Sequence, residues 1–206
     1  WLHYSFLLDK SGEKMAKSKG EFLGMDAVRT RGYDPMVYRY FVAMGHYQSQ
    51  LAFSWETMDS TAKSYANLVR RVADILSAEN DVVNQAVYGK WHDDMLAVLS
   101  DNLKTASVLV MVQDFIKSAD IDNATKLALV RFADELLGLQ FIDRAKKLVA
   151  LENEAAPADI IALAERRAAA KANKDWGMAD ALRAEIDAAG WTVLDGRDGY
   201  KIVKKS

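Results

Sequence analysis

The sequence predicts a mainly α fold: a short mixed segment, an antiparallel helical bundle, then a small α/β domain closed by a C-terminal hairpin. Three observations lead there. Only two prolines, Pro35 and Pro157, and 11 glycines interrupt 206 residues, so long helices can run unbroken. Apolar residues recur at three-to-four spacing through much of residues 55–151. The last residues change to short β-type runs about a glycine-containing turn.

Trp1 to Leu8 reads as a strand, ended by the turn signal Asp9–Gly12. A lysine-rich loop follows, Glu13 to Gly20, and then a short helix over Met25–Arg31. Gly32–Asp34 breaks that helix, and Asp34 is placed to cap the next one with Pro35 in its first turn. This second helix runs to Met44, with Val37, Tyr40 and Phe41 on one face and Arg39 displaced from them.

Tyr47–Phe53 is a short extended segment, and Ser54 caps a helix from Trp55 to about Leu76. Its stripe is Met58, Ala62, Tyr65, Leu68, Val69 and Val72. Asp94–Ile116 and Ile121–Leu139 repeat the signal, with a shorter helix over Phe141–Leu151. Amphipathic helices joined by short polar loops bury their stripes most simply as an antiparallel bundle.

Glu152–Ala158 reads as a linker. Two more helices follow, Asp159–Ala172 and Asp175–Ala189, the second stopped by Gly190. Strands Trp191–Leu194 and Tyr200–Val203, joined by Asp195–Gly199, form the hairpin.

Half of the residues are hydrophobic and 27% are charged, the balance of a soluble globular protein. The net charge of −2 excludes an indiscriminate polycation. Residues 1–48 hold seven Lys/Arg against five Asp/Glu, and 160–206 hold nine against seven. Residues 49–159 hold eleven against seventeen, so a polyanion is favoured at the two ends and disfavoured along the middle. Ordinary solvated helix faces give sums of this size as well.

With no cysteine, the chain has no disulfide, thiolate nucleophile or thiolate metal site, and His3, His46 and His92 are not at metal-ligand spacing. The longest aliphatic run, Val108–Val112, is far too short for a bilayer. The expectation is a soluble, cytoplasmic protein without a metal of its own. Opening at Trp1 inside a strand, the chain reads as a piece of something longer.

The most informative stretch is Lys14-Met15-Ala16-Lys17-Ser18. Two lysines three apart in a loop, a hydroxyl beside them and Gly20 after, suit a triphosphate. The ammonium groups can neutralise charge building on a leaving pyrophosphate, while Ser18 donates a hydrogen bond. On these five residues alone, a solvated surface loop explains the pattern better, because short motifs match often by chance.

Context reverses that preference. The loop resembles the KMSKS signature of class I aminoacyl-tRNA synthetases and, as in that family, lies after a strand and before helices. The following run, from Asp34 through Arg39, His46, Tyr47, Ser49 and Leu51 to Ser54, resembles the corresponding stretch of cysteinyl-tRNA synthetases. A second match is near the C-terminus: Arg167 to Lys171, Lys174-Asp175-Trp176, Ala179-Asp180 with Arg183, and Gly190 with Leu194-Asp195-Gly196. These resemble that family's anticodon-binding tail.

The resemblance implies three parts. Residues 1–54 would end the catalytic domain and carry the loop and stem-contact segment, 55–150 would be the bundle, and 158–206 the anticodon reader. It implies ATP and cysteine as substrates, through the full-length enzyme, and tRNA-Cys as partner. Lys14 and Lys17 would be catalytic, stabilising the pyrophosphate-leaving transition state. Met15 and Ser18 would complete the ATP-binding loop. Arg39, Lys171, Trp176, Asp180, Arg183 and Asp195 would contact tRNA. For Trp176 the rival role is a core aromatic between helices, for Lys171 and Arg183 an exposed helix face, and for Asp180 with Arg183 a helical ion pair.

The chain departs from the family pattern in places. Ala16 replaces the signature's central serine, Glu21 replaces an asparagine, and Ser100–Thr105 matches the family's bundle only loosely. The HIGH signature and the zinc-binding cysteines belong upstream in the family and are not in this sequence. The chain alone is therefore predicted not to activate cysteine. Two rivals remain at this point: the related mycothiol-pathway cysteine ligase, which needs no anticodon reader, and a non-catalytic tRNA-binding derivative of a synthetase.

Overall fold

The computed structural model describes residues 5, 7, 8, 12, 24–196 and 199–205. Only the end of the predicted first strand falls within them, and the loop with Lys14, Met15, Ala16, Lys17 and Ser18 lies outside them, as does Glu21. The chain divides into two compact units, residues 1–145 and 146–206. Both are mainly helical.

In the first unit, strand β1 (Leu7–Leu8) pairs in parallel with β2 (Leu51–Ala52), Leu7 opposite Leu51. The backbone N–H of Ser5 donates to the Tyr47 carbonyl and that of Phe53 to the Leu8 carbonyl, both at 2.8 Å. Of the extended segment predicted over Tyr47–Phe53, only Leu51–Ala52 is strand; Tyr47–Ser49 instead forms a turn, closed by the Ser49 N–H donating to the His46 carbonyl at 2.9 Å. Helix α1 is Met25–Thr30 and α2 is Pro35–Ala43. Asp34 caps α2 by accepting from the Met36 N–H at 2.8 Å, and the helix buries Val37, Tyr40 and Phe41.

The bundle comprises α3 (Trp55–Ile75), α4 (Gln85–Ser100), α5 (Thr105–Lys117) and α6 (Asn123–Leu137). Helix α6 packs against the other three and buries Leu127, Leu129, Val130, Ala133 and Leu137. Ser54 caps α3, and its buried stripe holds Met58, Tyr65, Leu68, Val69 and Val72, with Thr61 in place of the predicted Ala62.

A helix also differs from expectation. The helix predicted over Asp94–Ile116 is two helices, and the first already starts at Gln85, where Asn84 caps it through the Val87 N–H at 3.3 Å. Between them Asn102 and Leu103 take φ values of +63° and +51°. No glycine or proline marks the break, because tertiary bonds impose it. Tyr47 Oη donates to Asn102 Oδ1 at 2.6 Å, His46 Nε2 to the Asn102 carbonyl at 2.9 Å, and Asn102 Nδ2 to Gln48 Oε1 at 3.1 Å. Thr105 Oγ1 adds a bond to the Ala43 carbonyl at 2.9 Å.

Helix α7 (Phe141–Glu152) starts at the end of this unit. The Asp134 carboxylate accepts from the Phe141 and Ile142 N–H groups, each at 2.9 Å, satisfying the first-turn donors. Burial pushes the Asp134 pKa up, against the pull of those two bonds. Arg144 on α7 grips Asp34 with both terminal nitrogens, one at 2.9 Å.

The second unit packs α8 (Ala158–Ala172) and α9 (Trp176–Ala188) with an antiparallel hairpin, β3 (Trp191–Gly196) and β4 (Gly199–Lys204). Ile160, Ala164, Ile186, Trp191 and Val193 form its core. Gly190 (φ +82°) supplies the left-handed turn between α9 and β3 that a side chain would disfavour.

Candidate functional site

Side-chain alternation along β3 decides where its one paired carboxylate goes. Trp191 and Val193 face the core of the second unit, so Asp195, two residues on, projects from the same face. Helix α8 presents Arg167 and Lys171 to it, four residues apart and therefore on one side of the helix. Arg167 donates from Nη1 to Asp195 Oδ1 at 3.0 Å and from Nη2 to Oδ2 at 2.9 Å, and Lys171 Nζ lies 2.9 Å from Oδ2.

Burial in this cluster is uneven. Arg167 is 4% exposed, whereas the Asp195 side chain keeps 45% of its surface. The Arg167 hydrogen bonds, followed by that from Lys171, hold the Asp195 carboxyl well below the usual carboxylate range. The carboxylate in turn raises the pKa of Arg167. Asp195 thus stays ionised, with its exposed side open to another donor.

A tight turn joins α8 to α9. The Lys174 N–H donates to the Lys171 carbonyl at 3.0 Å, the Asp175 N–H to the Ala170 carbonyl at 2.9 Å, and Lys174 takes φ +60°. Lys171 and Trp176 consequently stand on either side of that turn. Asp175 caps α9 through the Met178 N–H at 3.0 Å, and Trp176 is its first residue, 59% exposed. Asp180 and Arg183 follow at spacings of four and three, which places them on the same face of α9. Ala179, Leu182 and Ile186 are the buried residues of that helix.

The alternative of a core Trp176 is therefore set aside. No ion pair links Asp180 to Arg183 among the described residues; the Asp180 charge acts on Arg167, and that of Arg183 on Asp187. Lys171 is half-buried and paired, rather than part of a plain exposed face. Arg167 is the member of the cluster whose role the local sequence does not reveal. Its signals in the sequence are its place four residues before Lys171 and its inclusion in the C-terminal stretch that carries the family resemblance.

Arg39 has a role within the first unit. Its Nε donates to the Leu137 carbonyl at 3.0 Å, at the C-terminal end of α6, where Gly138 takes φ +62°. A cation there meets the negative end of the helix dipole. No cluster of three or more metal-binding side chains is present among the described residues.

Known protein families match the chain in two stretches. Residues 1–64 match the family model described as tRNA synthetases class I (C) catalytic domain, and residues 153–201 match the Cysteinyl-tRNA ligase anticodon binding domain. A cysteine–tRNA ligase of Novosphingobium aromaticivorans is 33% identical over 201 residues, 95% of this chain. Those of Opitutus terrae and Treponema denticola are 34% and 30% identical, over 98% and 100% of the chain.

The chain belongs to the cysteinyl-tRNA synthetase family.

It spans 41%, 41% and 46% of those three cysteine–tRNA ligases respectively. Within the family's two matched regions, the anticodon-binding match contains Arg167, Lys171, Trp176, Asp180, Arg183 and Asp195. The class I match contains the lysine loop and Arg39, and reaches into α3.

Proposed function

We propose that this chain supplies the pyrophosphate-side loop and the tRNA-reading surface of a cysteine–tRNA ligase, acting in the cytoplasm. That enzyme activates cysteine with ATP and transfers it to tRNA-Cys. The observation that carries the reading is Trp176, solvent-exposed on one face with Asp180 and Arg183, across a tight turn from the Lys171–Asp195 pair, inside the anticodon-binding match.

An RNA loop is read through bases splayed from the stack, held against an aromatic ring and recognised at their edges. Trp176 offers the ring. Asp180 and the outer side of Asp195 offer acceptors for base N–H groups, and Arg183 and Lys171 offer donors and positive charge. Because Arg167 and Lys171 keep Asp195 ionised, it presents acceptors only, which favours an amino or imino edge over a carbonyl.

Towards ATP, Lys14 and Lys17 neutralise the departing pyrophosphate, and Ser18 donates to a phosphate oxygen while Met15 completes the loop. Arg39 belongs to the stem-contact part, residues 1–54, ahead of the bundle at 55–150 and the reader at 158–206. Zinc finds no fitting ligand set here: the chain has no cysteine and three scattered histidines.

The anticodon-binding match favours this reading over a mycothiol-pathway ligase, which has no anticodon to read. Two assays test it. A hydroxyl-radical footprint of a tRNA-Cys transcript with the chain is expected to protect the anticodon loop; protection confined elsewhere would sink the assignment of residues 158–206. The 206-residue chain, which contains neither a HIGH signature nor a cysteine, is expected to catalyse no ATP–pyrophosphate exchange.

A further inference from the structure

The acidic middle of the chain contains one groove of opposite character. A cavity of about 180 Å³ between α3 and α5 is lined by Ser64, Asn67, Leu68 and Arg71 from one helix and Gln113 and Lys117 from the other. Ser64, Asn67 and Arg71 recur at spacings of three and four, so they share a face over two turns of α3, roughly 10 Å. Gln113 and Lys117 lie one turn apart on α5. Leu68 is buried and forms the floor.

The lining chemistry is one-sided: two cations, two carboxamides, one hydroxyl and no carboxylate. The segment 49–159 carries seventeen acidic side chains against eleven basic ones, so a groove without any of the acids stands out from its surroundings. Asp74, the carboxylate three residues from Arg71, is engaged by Arg70 at 3.3 Å. Among the described residues neither Arg71 nor Lys117 forms an ion pair. Both are exposed, and neither is spent on holding the fold.

Such a set suits a phosphate group. Guanidinium and ammonium supply charge, the amide N–H groups and the Ser64 hydroxyl supply further donors, and no acid in the lining repels the ligand. We infer that this α3–α5 groove binds backbone phosphate of RNA, as a sequence-independent anchor separate from the anticodon-reading surface. The inference rests on the proposed tRNA-binding function and adds to it a contact in the bundle that positions without reading sequence.

The test compares the wild-type chain with the double variant Arg71→Gln and Lys117→Gln, and with a control pair, Lys90→Gln and Lys104→Gln, that removes as much charge elsewhere. Affinity for a tRNA-Cys transcript is measured at several salt concentrations, with and without a changed anticodon. The groove variant is expected to bind about tenfold more weakly, to both transcripts alike. The slope of log affinity against log salt is expected to flatten by about 1.5, the loss of two phosphate-neutralising cations. Melting temperature, read in parallel, should hold within about 1 °C because both side chains are exposed.

Equal loss in the control pair, or no loss in the groove pair, overturns the inference. So does a groove that raises the melting temperature with inorganic phosphate, in an Arg71- and Lys117-dependent manner, yet leaves tRNA affinity untouched. That result would assign it to free phosphate. The anticodon arm judges the proposed function separately: wild-type protein that ignores the anticodon contradicts the reader assignment, whatever the groove variants do.

Discussion

Arg167 on α8 and Asp195 on β3 are joined by two parallel hydrogen bonds, of 3.0 and 2.9 Å, and the partners are unequally buried. The guanidinium is enclosed while nearly half of the carboxylate remains in solvent. The pair ties the hairpin to the helix that carries Lys171, and it fixes the charge state of Asp195.

Unequal burial makes the two deletions unequal. Asp195→Asn leaves an enclosed guanidinium without its counter-charge and should cost about 2–3 kcal/mol. Arg167→Met leaves a half-exposed carboxylate that water and Lys171 can serve, and should cost about 1 kcal/mol less. Urea unfolding of both variants checks the order, and a more damaging Arg167→Met would contradict it.

The same pair sets an acid response. The Asp195 pKa is depressed in the folded state, so its stabilisation is fully present above the unfolded carboxylate value of about 3.9. It is lost progressively as pH falls below that value towards the lower folded one. Wild-type protein should therefore lose stability below about pH 4 more steeply than Asp195→Asn, in melts taken from about pH 6 down to about pH 2.5. Parallel curves would show that the carboxylate is not held down as the geometry requires.

Trp176 separates binding from folding. Its ring is largely in solvent, so Trp176→Ala should change stability by no more than about 0.5 kcal/mol. Loss of a stacked base should lower affinity for a tRNA-Cys transcript by about 1–3 kcal/mol, roughly five- to 150-fold. Trp176→Phe should restore much of it. An unfolded Trp176→Ala would return the residue to a packing role.

Gly138 and Arg39 are coupled through the end of α6. A methyl group on Gly138 would sit 2.9 Å from an Arg39 guanidinium nitrogen, at a backbone φ of +62°. Gly138→Ala should cost about 1–2 kcal/mol, from left-handed strain and displacement of the guanidinium. In the Arg39→Ala background the steric part disappears, so the double variant should cost less than the sum of the two singles by chemical denaturation.

Much of this was legible in local sequence. Asp34 before Pro35, Ser54 before Trp55 and Gly190 after α9 mark helix ends through capping and turn chemistry that acts within a few residues. The α3 stripe was legible because one helix face must meet the core. The α4–α5 break was not, because Asn102 and Leu103 are held in the left-handed region by Tyr47, His46 and Gln48, more than fifty residues away in sequence. The role of Arg167 was hidden for a related reason: its partner, Asp195, is 28 residues further on and meets it only once the hairpin folds back. Trp176 could be assigned to surface or core only by its exposure in the folded chain.

The most direct measurement is the affinity of the chain for a tRNA-Cys transcript and for the same transcript with its anticodon replaced, across several salt concentrations. Tighter binding to the original anticodon, with the difference persisting as salt rises, is the predicted result. Equal affinity for both transcripts, falling together with salt, would contradict anticodon reading by residues 158–206.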